Sequence, residues 1–270
     1  MAAPLGTCKL CGEEATLRKS HILPEHLYER FYSEEDHPVL NQMHVNTIDP
    51  NKGRVQYLQK GIWERLLCGR CEQHLNESGE KYCSERLISN PSRVGLEGIV
   101  QYRNLDYKSV KLYFLGIFWR IGVATVEPFS EVILSQTHER ELREAILACN
   151  PGELGFYPCL VAEDVSPHLR NMLSQPRTLL ITGSEGRTYR VIELVANGQI
   201  WQLVLSRDFR PVSRDRDLWQ QCLVREDGIL TAMKFDFRET DFGQQHYRNV
   251  MDWGDLEKKI RGGPKSADGR

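Results

Sequence analysis

The sequence predicts an α+β protein: a small cysteine-bearing domain (residues 1–90), a mainly helical region (91–175), an antiparallel β-rich region (176–257) and a disordered tail (258–270). Three observations predict it. Two short cysteine pairs, Cys8-Lys9-Leu10-Cys11 and Cys68-Gly69-Arg70-Cys71, occur only in the first stretch. A long apolar run, Val110 to Thr125, centres the second. Strand-like runs separated by glycine turns fill the third.

Two cysteines with two residues between them turn both thiolates onto one ion, and two such pairs complete a tetrahedral zinc site. Gly12 after the first pair and Gly69 within the second suit the tight turns this requires. Four thiolates leave no open coordination position, so the expected zinc at Cys8, Cys11, Cys68 and Cys71 is structural. Between the pairs, a β segment is expected over Thr16–Ile22 and a helical piece near Glu25–Tyr32. An irregular insertion follows over Ser33–Lys60, where Asp49-Pro50-Asn51-Lys52-Gly53 marks turns and Val55–Leu58 a short strand. From Cys71 to Ile88, Leu75 and Tyr82 recur at a spacing that suits one helical face.

In the second stretch, Val110–Thr125 reads as a buried core helix. The run Leu112–Val126 is shorter than the ~20 apolar residues of a bilayer span and carries Arg120 near its middle. A lone buried guanidinium is costly, so Arg120 is expected to find a partner, in a structural ion pair or an interdomain contact rather than on a ligand, or a route to the surface. Thr137–Ala148 is amphipathic, with Thr137 as the expected N-cap and Asn150-Pro151-Gly152 as the stop. In the third stretch, Arg177–Thr182, Thr188–Val195 and Gln199–Leu205 read as strands, with Asn197-Gly198 as a hairpin signal. Cys222–Arg225 and Ile229–Phe237 are expected to pair across Glu226-Asp227-Gly228, and Trp201, Trp219 and Trp253 serve as core or contact residues. The tail from about Lys258 carries Gly262-Gly263-Pro264.

Composition is that of an ordinary folded domain, 40% hydrophobic and 27% charged. Met1–Thr7 has neither the charged start nor the apolar stretch of a signal peptide, and four of the eight cysteines are taken by the two pairs, so a cytoplasmic location is expected. Residues 1–90 hold 11 Lys and Arg against 13 Asp and Glu, and the remainder 24 of each. That balance argues against a strong nonspecific grip on long duplex DNA, which concentrates basic charge against phosphates. Arg18, Lys19, Arg65 and Arg70 supply at most a local basic face near the motifs.

Between the pairs stands Ser20-His21-Ile22-Leu23-Pro24. The first pair with Gly12, this histidine followed by an apolar residue and a proline, and Leu66-Leu67-Cys68-Gly69-Arg70-Cys71 together resemble the zinc-containing HNH endonuclease family. The resemblance covers about the first 85 residues. It implies a treble-clef-like ββα-metal fold in which the first knuckle leads into a strand and the second opens a helix. It also implies hydrolysis of phosphodiester bonds in nucleic acid, DNA in preference to RNA. His21 would be the general base, and a divalent Mg2+ or Mn2+, separate from the zinc, would stabilise the developing charge.

Three positions depart from the family pattern. Ser20 stands where many members carry an acidic metal ligand. Gly61-Ile62-Trp63-Glu64-Arg65 lacks the family's middle asparagine and offers Glu64 instead. Glu72 directly follows the second knuckle, with His74 two residues on, where the family's last histidine or asparagine commonly sits. Glu72 and His74 are both candidates beside His21, but residues two apart lie about 200° apart around a helix, so only one can face the site. Glu80 shares a helical face with Glu72 through residue 76. The family placement suggests restriction or phage defence. A noncatalytic zinc module that binds nucleic acid or a protein partner, through the C-terminal half in the latter case, is the alternative reading. No membrane association is expected.

Overall fold

Strands of two or three residues cannot bury enough surface to persist alone, so the first 90 residues must be organised by turns and by the helix packed beneath them. The computed structural model describes residues 4–28, 43–46, 55–58, 61–165, 176–182, 186–209 and 225–236. Strands β1 (Leu5–Thr7) and β2 (Glu14–Thr16) form an antiparallel hairpin whose turn carries Cys8 and Cys11. Strand β3 (Ser20–His21) pairs antiparallel with β6 (Trp63–Glu64), while β4 (Met43–Asn46) and β5 (Val55–Leu58) form a hairpin of their own. Of the expected helical piece near Glu25–Tyr32, the described part is one 3-10 turn, Glu25–Leu27.

Helix α1 (Gly69–Leu75) opens on the second cysteine pair and runs on through a π-turn (Asn76–Glu80), α2 (Lys81–Cys83) and a second π-turn (Ser84–Ser89). Its buried residues are Cys71, Leu75, Gly79, Cys83 and Leu87, spaced by fours. A uniform α-helix advances ~100° per residue, so a stripe of fours drifts by about 40° per step. The i→i+5 turns unwind the helix and remove that drift. Gly79 is needed where this run meets the next helix: a Cβ there would lie 2.6 Å from the Ser109 carbonyl oxygen and 2.8 Å from the Tyr113 nitrogen.

That next helix, α3 (Tyr107–Val123), is capped by Asp106, whose carboxylate accepts from Ser109 N–H at 2.7 Å. Every residue from Val110 to Ile121 is buried, as expected of a helix apolar all round. It packs between the helical run, α4 (Gln136–Leu147) and the sheet, with the Phe114 ring edge-on to Trp201 at 5.2 Å. Trp201 is thus a core residue, whereas Trp219, Trp253 and the tail lie outside the described residues. The cap of α4 is Ser135, whose hydroxyl accepts from His138 N–H, rather than Thr137, which falls within the first turn. Among the described residues no helix is long and apolar enough to cross a membrane.

The seven-stranded sheet has the order β10-β11-β12-β9-β13-β8-β7, antiparallel except for β9 against β13. Its members are β7 (Arg93–Leu96), β8 (Ile99–Tyr102), β9 (Cys159–Asp164), β10 (Arg177–Thr182), β11 (Thr188–Ala196), β12 (Gln199–Val204) and β13 (Leu230–Phe235). Residues 91–175, expected to be mostly helical, therefore also supply three strands. The β11–β12 hairpin turns at Asn197 and Gly198, both at positive φ (53° and 80°), as the sequence predicted. Strand β13 pairs with β8 and β9; Arg225 instead joins Ile229 in a tight turn, and residues 222–224 lie outside the described residues. The inner face of the sheet shares one hydrophobic core with α3 and the cysteine-bearing region, and Leu160, Tyr189, Val191, Val204 and Phe209 cluster on the other face.

Candidate metal centre and adjoining cleft

The two cysteine pairs, 56 residues apart in the chain, are brought together by backbone hydrogen bonds. Lys9 N–H donates to Leu66 O at 2.9 Å, Arg18 N–H to Leu67 O at 2.8 Å, and Leu17 bridges Cys68. Gly12, at φ +77°, closes the first turn by donating to Cys8 O. The four sulfurs of Cys8, Cys11, Cys68 and Cys71 lie within 4.8 Å of one another, and Cys68 N–H points to Cys8 Sγ at 3.3 Å. Burial raises the Cys8 and Cys71 thiols. Burial opposes the Cys11 thiolate too, but hydrogen bonds from the Glu13 backbone, the neighbouring thiols and Arg70 outweigh it and bring Cys11 down to about 7. Four soft ligands at this spacing, three of them buried, can bind a metal ion such as zinc.

One peptide bond beyond Cys71, the chain enters a different environment. Glu72, Asn76, Glu80 and Ser84 follow one another by fours along the helical run and line a cleft of about 870 Å³. His21 reaches it from β3, and Arg120 from α3. Ser20, the neighbour of His21, is fully buried, and its hydroxyl accepts from Leu67 N–H at 3.2 Å.

Charge in the cleft is tightly arranged. Burial raises the Glu72 carboxyl above its usual range; the Ser20 hydroxyl and the Arg120 charge pull it back, Glu80 pushes it up again, and His21 lowers it. Glu72 Oε1 is buried with no hydrogen-bond partner. The Arg120 guanidinium, 3% exposed, pairs through Nη2 with Glu80 Oε1 and donates through Nη1 to the His21 backbone carbonyl at 3.2 Å. The ion-pair partner expected for Arg120 is therefore Glu80. His26 also lines the cleft; burial, with Arg120 nearby, lowers it to about 4, so the ring is neutral and shares a 2.8 Å hydrogen bond with the Tyr113 hydroxyl.

No family model, curated protein or solved structure matches this chain.

His21, Glu72 and Glu80 come together; His74 does not. Its Nε2 meets the Ile146 carbonyl at 2.8 Å and Cys149 Sγ at 3.7 Å, so it faces α4, on the opposite side of the run from Glu72. Two residues along a helix impose this separation. Glu64 is also turned away: its carboxylate accepts from Thr125 N–H at 2.8 Å and the Thr125 hydroxyl at 2.6 Å, capping the exit from α3. Among the cleft residues that sequence reasoning missed are His26 and Arg120. Nothing in the local pattern marks His26, and Arg120 carried only the signal of a charge within an apolar run.

Proposed function

We propose that the cleft is the active centre of an HNH-type, metal-dependent endonuclease that hydrolyses phosphodiester bonds in nucleic acid, DNA in preference to RNA. The observation that carries this reading is the convergence of His21 and Glu72 on one cleft beside the four-cysteine cluster. The chain path also supports it. A hairpin bearing one cysteine pair, a two-strand ribbon bearing the histidine and a helix opening on the other pair are compatible with a treble-clef-like ββα arrangement.

In this reading His21 accepts the proton of the attacking water, for which a half-buried, cleft-facing imidazole is suited. Glu72 would hold a hard divalent ion, Mg2+ or Mn2+; its unpartnered buried oxygen fits such a cation. When bound, that ion would neutralise charge developing on the phosphate and leaving oxygen. The four-cysteine zinc would fix the geometry and take no part in the chemistry.

One observation favours the second reading, a noncatalytic module that binds nucleic acid. Glu80 is already engaged by Arg120, and Ser20 holds the place of a carboxylate, so two of the positions that would share a metal with Glu72 offer it no free carboxylate. Incubating the zinc-loaded protein with plasmid, single-stranded DNA or RNA and Mg2+ or Mn2+, beside His21→Ala, separates the two. Metal-dependent cutting that disappears in the variant is expected. Cutting that survives removes His21 from the chemistry, and binding without cutting across metals and substrates favours the module.

A further inference from the structure

The most buried charge in the cleft comes from outside the first 90 residues. Arg120 lies on a helix whose residues from Val110 to Ile121 are apolar except for Lys111 and Arg120 itself. Replacing such a buried ion pair with apolar side chains is often neutral or stabilising, so stability is a weak reason to place a guanidinium here. Its contacts suggest another reason. One arm of the fork takes Glu80, the next carboxylate along the cleft face after Glu72; the other holds the backbone of His21. The Nε–H is buried and unpartnered, so the side chain meets these two groups rather than its own full complement of acceptors. Gly79, immediately before Glu80, allows α3 to approach closely enough for this contact.

We propose that Arg120 is the resident cation of the cleft: it positions the His21 strand and occupies Glu80, leaving Glu72, with its unpartnered buried oxygen, as the carboxylate of the helical run that receives a divalent ion. The metal part rests on the reading of the cleft given above. If Glu80 served the metal instead, a nearly fully buried guanidinium would lose its counter-charge. The arrangement sets two requirements. Divalent affinity is modest because one ligand is withheld, and the histidine's position depends on a helix that the nuclease-like region does not contain.

Mn2+ binding to the zinc-loaded full chain, followed by electron paramagnetic resonance without nucleic acid, tests this independently of activity. Glu72→Gln is expected to weaken Mn2+ by about tenfold or more, the scale seen when a metal site loses a supporting group, while Glu80→Gln stays within about twofold of the parent. Arg120→Gln releases Glu80 and is expected to tighten Mn2+ by about tenfold, and adding Glu80→Gln to it abolishes the gain. Arg120→Lys keeps a charge on Glu80 and should show no gain; zinc content and circular dichroism confirm that each variant folds. Glu80→Gln weakening Mn2+ as much as Glu72→Gln would overturn the proposal, even if Arg120→Gln proved too unstable to study. So would unchanged affinity in a folded Arg120→Gln. If the parent binds no Mn2+ at millimolar concentration, binding must first emerge in Arg120→Gln, and its absence there also refutes the proposal. Should the cycle hold while no substrate is cut, the nuclease reading falls and the role of Arg120 stands.

Discussion

Protonating His26 should loosen the packing of the cleft against α3. The imidazole, whose ordinary value is 6.5, lies at about 4 in the folded protein, lowered by burial and by Arg120. The folded value is depressed, so between about 4 and 6.5 the unfolded chain binds the proton that the native state refuses, and stability falls as pH falls through that window. Complete protonation corresponds to about 3 kcal/mol, of which about 2 kcal/mol is lost between pH 7.5 and pH 5. For a chain of this size that is about 5 °C in melting temperature. The assay is urea unfolding at both pH values, with saturating zinc, of the parent and of His26→Gln, which removes the titrating ring and retains a partner for the Tyr113 hydroxyl. Contributions from metal thiolates and from the carboxylates that line the same cleft, Glu25, Glu72, Glu80 and Glu85, are common to both proteins and cancel in the difference. The parent should lose about 2 kcal/mol more than the variant. Equal losses in the two proteins, or an NMR titration placing His26 near 6.5, would refute the reasoning.

Zinc removal by a chelator, or Cys71→Ser, should unfold residues 5–28 and 61–89 while leaving β-sheet circular dichroism largely intact, and elemental analysis should give about one zinc per parent chain. Gly79→Ala should gain about 1 kcal/mol of helix propensity but lose about 2–3 kcal/mol to backbone overlap with α3, a net destabilisation measurable by urea unfolding. His74→Ala should cost about 1 kcal/mol through the lost bond to the Ile146 carbonyl and leave any cutting unchanged; loss of cutting in a stable variant would return His74 to the site.

What could be read from the sequence is what short-range chemistry encodes. Cysteine spacing brought Cys8, Cys11, Cys68 and Cys71 into one cluster because each pair is a local turn and only the meeting of the pairs is long-range. Asn197-Gly198 announced its hairpin because positive φ is a property of those two residues. The choice between Glu72 and His74 was posed correctly by helical azimuth but needed α4 to decide it, since the Ile146 carbonyl gives His74 its partner. Ser135 and Thr137 carry equivalent hydroxyls, so the cap could be placed only to within two residues. Strands β7, β8 and β9 were passed over because their stability comes from distant partners: β13 lies between β8 and β9 and enters the sheet more than 65 residues after β9. Arg120 was noticed as an anomaly, but the bond that gives it meaning spans 99 residues.

The fours along the helical run have a consequence for how this chain can change. Two rows, one buried from Cys71 to Leu87 and one facing the cleft from Glu72 to Ser84, stay aligned because the wide turns absorb what a uniform helix would accumulate. Substitutions alter one position in one row. A one-residue deletion within Asn76–Glu80 would rotate everything beyond it by about 100°, turning Glu80 away from Arg120 and Cys83 out of the core together, while Cys68, Cys71 and Glu72 stayed in place. Over this segment, length is therefore under tighter constraint than composition, and tolerated insertions and deletions should fall elsewhere in the chain.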